Sequence, residues 1–240
     1  MLKNALHADP SLAGPPGTRF VSHAYIGDTE GTLWRFNLVK GENGTIGLDP
    51  AVKIYDASEV NPIFNSPALA DVGESNRYIF LSTGSNILPS ARKLQDFRLN
   101  GLLDIGSGSA LKRFDIALER TVGRPGDERP ASAPVVAGDA VFFATTTDFP
   151  EDPCAPPESE LRALTYVGGP AYDTTGDDKV DARDSITITR MTGRATTVAT
   201  VDRHAFVVAG SKLESFGDPQ DFNNGVGRPE VRVVSWREVR

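Results

Sequence analysis

Between residues 173 and 184 the chain reads Asp-Thr-Thr-Gly-Asp-Asp-Lys-Val-Asp-Ala-Arg-Asp. Carboxylates gathered this densely repel one another unless a cation joins them. Calcium takes six to eight oxygen ligands, and a twelve-residue loop supplies them from positions 1, 3, 5, 7, 9 and 12, the seventh through its backbone carbonyl. Counted from Asp173, those positions are Asp173, Thr175, Asp177, Lys179 (carbonyl), Asp181 and Asp184. The spacing therefore predicts a Ca2+ loop with these residues as ligands. Without an ion, the same residues make a solvated acidic turn.

The EF-hand form of such a loop carries Gly at position 6 and Glu at position 12, where this chain has Asp178 and Asp184. Asp enters the left-handed region more easily than most residues, at some cost. The shorter arm of Asp184 draws the end of the loop toward the ion, a version that the dockerin-type calcium loop resembles. Thr175 contributes a neutral oxygen, so the expected site suits millimolar extracellular calcium better than a cytosolic sensor.

No other constellation has the spacing of a reaction centre. The only histidines are His7, His23 and His204, and an imidazole on a strand or beside a turn is ordinarily satisfied or exposed. No His-Glu-x-x-His or Gly-x-Ser-x-Gly occurs, and Gly106-Ser107-Gly108-Ser109 lacks the Lys-Ser/Thr of a phosphate loop. The expectation is a non-enzymatic protein. Cys154 is the single cysteine, so no intramolecular disulfide can form. A net charge of −7 gives no basic footprint for nucleic acid, and no apolar run reaches the length of a transmembrane segment.

The elements that hold the acidic loop are read from a repeat. With 23 Gly and 17 Pro spread along 240 residues, apolar runs are cut too often for long helices. Three segments share one plan of strand, polar turn and strand: Ser66–Ala70 with Tyr78–Gly84, Ala133–Ala137 with Ala140–Thr145, and Thr197–Thr200 with Ala205–Gly210. A compressed fourth copy runs from Ala24–Asp28 into Gly31–Asn37. A third strand is expected at Leu111–Asp115, Leu161–Leu164 and Val231–Trp236, each alternating apolar with polar residues. The hairpins start roughly 65 residues apart, against the ~40–50 of WD40 or kelch blades. Loops are therefore expected at 38–61, 87–110, 148–160 and 165–196, and function with them. The fold class is all-β: about four antiparallel β-propeller blades in a single domain, part of a larger modified propeller. A β-sandwich is the alternative, because its strands also look alike.

Met1 to Pro10 lack the apolar stretch of a secretory signal. Strands begin near Arg19, so the chain is expected to be the C-terminal part of a longer protein, with its export signal upstream.

Particular phrases carry a family likeness: Tyr25-Ile-Gly-Asp-Thr-Glu-Gly-Thr-Leu-Trp-Arg-Phe-Asn37, Pro67-Ala-Leu-Ala-Asp71, the Asp152-Pro-Cys154 loop leading to Leu161-Arg-Ala-Leu-Thr165, and Ser235-Trp-Arg-Glu-Val239. Together they resemble the C-terminal propeller of the PilY family of type IV pilus tip-associated proteins. The resemblance implies a quinoprotein-like propeller outside the cell that supports pilus extension and calcium-dependent adhesion. Its partners would be pilus components such as minor pilins, or a host or surface receptor. In that family the calcium loop precedes a blade like that of Tyr25, whereas here the acidic loop begins at Asp173. Two other functions fit the same pattern: an interaction propeller of another extracellular system, and an enzyme of the pyrroloquinoline-quinone dehydrogenase type.

Overall fold

Short runs of Val, Ile, Phe, Tyr and Thr bounded by Gly, Asp and Pro favour extended chain, and every regular element among the described residues is a strand. The structure, a computed structural model, describes residues 4–15, 18, 20–41, 43–58, 61–72, 76–84, 97–118, 128–147, 154–201 and 204–216. Among these no helix is long and apolar enough to cross a membrane.

The strands form four antiparallel sheets that follow one another along the chain. The first contains β1 (Ser11–Ala13), β2 (His23–Gly27) and β3 (Thr32–Lys40), with β4 (Ile46–Leu48) and β5 (Val52–Asp56) pairing with opposite halves of β3. The second is the meander β6 (Ala68–Val72), β7 (Asn76–Thr83), β8 (Arg98–Asp104) and β9 (Leu111–Ala117). In the third, β10 (Glu128–Pro130) and β11 (Val135–Ala137) share one edge of β12 (Ala140–Thr147), and β13 (Glu158–Thr165) and β14 (Thr187–Thr192) follow. The fourth is β15 (Ala195–Val201), β16 (His204–Ala209) and β17 (Lys212–Phe216).

Each sheet shares an apolar core with the next. Tyr25, Leu33 and Ile54 of the first sheet meet Ile79, Leu81 and Leu102 of the second. Phe80, Leu99 and Phe114 of the second meet Val141, Phe143 and Leu164 of the third. Phe142, Ala144 and Leu161 of the third meet Val198, Ala205 and Val207 of the fourth. Successive side chains of a strand point to opposite faces, so Ile79 and Phe80 of β7 serve different cores, as do Phe142 and Phe143 of β12. The unbroken apolar runs Ile79-Phe80-Leu81 and Ala140-Val141-Phe142-Phe143-Ala144 are explained by sheets covered on both sides.

The three repeated hairpins are found as β6–β7, β11–β12 and β15–β16, and the compressed copy as β2–β3. None of the four expected loops is wholly loop: 38–61 contains β4 and β5, 87–110 contains β8, 148–160 runs into the first three residues of β13, and 165–196 contains β14. Leu111–Asp115 accordingly lies in the fourth strand of its sheet, the third being β8. The strand expected at Val231–Trp236, the Ser235–Val239 phrase and residues 148–153 lie outside the described residues.

The β2–β3 turn shows how a blade phrase folds. Asp28, 1% exposed, accepts the Glu30 and Thr32 amides on Oδ1 at 3.0 and 2.8 Å. Its Oδ2 accepts the Trp34 indole N–H at 2.9 Å and Asn4 Nδ2 at 3.1 Å. Gly31, at φ 79°, completes the turn, where a Cβ would lie 2.4 Å from the Ser58 carbonyl oxygen. Bonds to a charged acceptor are worth about 1.5–3 kcal/mol, and orphaned buried donors add a penalty. Asp28→Ala is expected to cost about 2–3 kcal/mol in urea unfolding; a change below ~0.5 kcal/mol would show that this turn is held by something else.

Contacts between sheets also fix their relative direction. Arg77, early in β7, bonds the Gly14 carbonyl just after β1, Tyr25 of β2 bonds Asp104 at the end of β8, and Tyr166, just after β13, lies 5.3 Å from Tyr78, early in β7. The β1–β2, β6–β7, β8–β9 and β13–β14 connections therefore share one end of the stack.

Candidate cation loop and inter-sheet cleft

The acidic loop occupies the middle of the β13–β14 connection and is pinned at both ends. Tyr172, immediately before it, is 5% exposed and packs 6.2 Å from the Phe142 ring. After it, Ile186 packs against the core of the second and third sheets, and its carbonyl accepts the Ala163 amide at 2.9 Å.

Between these anchors the carboxylates organise the backbone. Asp173 accepts the Gly176 amide on Oδ1 at 2.6 Å and the Asp178 amide on Oδ2 at 2.7 Å, with the Thr175 hydroxyl donating to Oδ1 at 3.3 Å. Asp177 accepts the Lys179 amide at 3.1 Å, and Asp181 accepts the Arg183 amide at 2.8 Å. Asp184 closes the ends together, taking the Thr174 and Thr175 amides on Oδ1 at 2.7 and 3.0 Å and the Asp181 amide on Oδ2 at 2.8 Å. The Asp181 amide, followed by those of Thr174 and Thr175, holds the Asp184 carboxyl down at about 2. Asp178 adopts φ 61°, the left-handed conformation that position 6 requires.

The six positions do not come together as a cage. Asp177 and Asp181 are joined by Arg183, whose Nη2 donates to an oxygen of each at 2.7 Å. Asp173 and Asp184 face backbone amides instead. Among the described residues no three His, Cys, Asp or Glu side chains converge as a ligand group. The donors themselves, four carboxylates, a hydroxyl and a carbonyl, are hard oxygens of the type calcium takes.

A second polar assembly lies at the same end, between the first two sheets. Arg35 Nη1 donates to both oxygens of Asp104 at 2.7 and 2.8 Å, with these side chains 7% and 3% exposed. The Tyr25 hydroxyl donates to Asp104 Oδ2 at 2.8 Å and the Gly106 amide to Oδ1 at 2.9 Å. Burial alone would raise the Asp104 carboxyl, but these bonds, Arg35's foremost, outweigh it and hold the group below the usual carboxylate range. Burial, assisted by the Asp104 charge, pushes the Tyr25 phenol up to about 12.

Beside this network Arg77 donates from Nε to Asp71 at 2.6 Å and from Nη2 to the Gly14 carbonyl at 3.1 Å. His23 sits on the rim with Nδ1 2.8 Å from the Ser22 hydroxyl. Burial first, then Arg77 and Arg35, lowers its pKa. His7 lies against Phe64 and His204 against Phe206, at 5.3 and 6.5 Å between ring centroids.

Sequence reading found the acidic loop and missed the cleft, whose residues come from separate strands. One signal was available: Arg35 and Asp104 each stand two positions after a core leucine, Leu33 and Leu102, and so carry charge onto a buried face. No model of a known protein family matches this chain, and no curated protein matches it.

Proposed function

We propose that the four sheets are propeller blades and that the chain serves as a non-enzymatic binding module on the cell surface, in a pilus-associated protein of the PilY kind. The observation that supports this best is the serial sharing of cores, in which β7 and β12 bury both faces. Radial repetition of four-stranded sheets is one way an all-β chain achieves such packing while protecting its edges. The Asp28–Trp34 turn gives the phrase on which the family resemblance rests a structural role. In this reading the partners are minor pilins or a surface receptor. A strain deleted for the gene should lose piliation and surface attachment; normal piliation and attachment would contradict the assignment.

Calcium belongs to the same proposal. Asp173, Thr175, Asp177, Lys179 through its carbonyl, Asp181 and Asp184 would hold the ion, and Arg183 would leave Asp177 and Asp181 for it. The Arg183 bridge supports the reading, because it supplies positive charge where two carboxylates meet. Calorimetric titration with calcium chloride should give binding in the millimolar range, lost in Asp177→Ala and Asp181→Ala. Arg183→Ala should tighten binding by roughly two- to five-fold, the worth of an exposed ion pair. No heat at millimolar calcium, or weaker binding in Arg183→Ala, would contradict the proposal.

A further inference from the structure

The cleft between the first and second sheets has a volume of about 270 Å3 and is lined by Ser22, His23, Tyr25, Arg77, Asp71 and Asn76 above the Arg35–Asp104 pair. Its charges cancel locally. Arg35 is matched by Asp104 and Arg77 by Asp71, and burial, with Arg77 and Arg35 nearby, disfavours the charged form of His23. An anion entering here meets two carboxylates and a cation meets two guanidinium groups, so neither gains a net field. What the walls do offer is a dense set of directed donors and acceptors.

We propose that this cleft binds a neutral polyhydroxylated ligand, a single sugar ring, held by Arg77, Asp71, His23 and Tyr25. Adjacent hydroxyls on a ring each need a donor and an acceptor, and the Arg77–Asp71 pair presents both side by side. Arg77 has five N–H groups, of which Nε is spent on Asp71 and one on Nη2 on Gly14, while Nη1 lies 3.5 Å from the Tyr25 hydroxyl. The Asp71 side chain is 40% exposed and bonds Arg77 through Oδ1, which leaves Oδ2 as the acceptor for a ring hydroxyl. His23, with Nδ1 engaged by Ser22, presents Nε2 as a polar tip and its ring as an apolar wall. The volume falls just under the ~300–1,000 Å3 of typical small-molecule pockets, which suits one ring rather than a chain. The walls are fixed beforehand, because Asp104 takes bonds from Arg35 and Tyr25 across the two sheets. Ordering the site on binding therefore costs little.

The test is saturation-transfer NMR on the full chain with the methyl glycosides of glucose, galactose and mannose and with N-acetylglucosamine, and with acetate and inorganic phosphate in parallel. At least one sugar should receive saturation. Its affinity should fall roughly ten-fold or more in Arg77→Met, as expected for losing a charged donor, and fall also in His23→Ala, a rim substitution that leaves the buried pair intact. Thermal unfolding of both variants separates a lost site from a lost fold. No transfer to any sugar, undiminished transfer in a folded variant, or binding of acetate or phosphate in place of the sugars would each overturn the proposal. The cleft stands apart from the acidic loop, so its failure leaves the calcium reading untouched.

Discussion

Asp104→Ala is expected to cost about 3–5 kcal/mol of stability in denaturant unfolding, the range for removing one partner of a buried ion pair. The charge left behind keeps only the Gly106 and Ser107 carbonyls, which Arg35 Nη2 reaches at 3.4 and 3.1 Å. Arg35 is 5% exposed, and its Nε has no hydrogen-bond partner among the described residues. Tyr25 loses its acceptor, as does the Gly106 amide. Removing both charges together is a different experiment: Arg35→Met with Asp104→Leu should recover most of the loss, since apolar replacements of a buried pair are often neutral or better. The acid limb carries the same signature. Asp104 is depressed in the folded state, so its contribution is complete above the unfolded carboxyl value of ~3.9 and disappears as pH falls through the lower folded value. Asp104→Ala should therefore lose less stability than the parent over that interval. A loss below ~1 kcal/mol, or a double variant no better than the single, would mean that Asp104 does not hold the first two sheets together.

The hairpins were legible because their strands are apolar and their turns carry their own chemistry, as Gly138-Asp139 does between β11 and β12. Strand β8 was hidden by Asn100-Gly101, a pair that ordinarily marks a turn. Its neighbours explain why it is a strand here. Asn100 takes the Tyr55 hydroxyl at 3.0 Å, and a Cβ on Gly101 would come within 2.2 Å of the Phe114 ring, so the glycine makes room for an aromatic side chain on the next strand. None of this is visible locally. The same division holds for the sites. The positions of the acidic loop follow from spacing alone, including the left-handed Asp178. Arg183 bridging Asp177 and Asp181 depends on how the intervening turns fold, and the cleft depends on which strands become neighbours.

Phe142→Ala and Phe143→Ala carry the other large expectation. On a strand with one buried face, truncating two consecutive residues gives one costly and one inexpensive variant. Here Phe142 is 0% exposed in the core between the third and fourth sheets, and Phe143 is 2% exposed in the core between the second and third. Phe143 also meets the Phe114 ring edge-on at 6.4 Å. Truncating a buried phenylalanine typically costs 3–5 kcal/mol, and both variants should fall in that range.

That pair of measurements bears most directly on a stack in which every inner sheet is covered on both sides. Equilibrium unfolding of the parent and the two variants, followed by tryptophan fluorescence and circular dichroism, should give losses of about 3–5 kcal/mol for each substitution. One large loss beside one below ~1 kcal/mol would place an exposed face on β12 and contradict the serial packing from which the propeller reading is drawn.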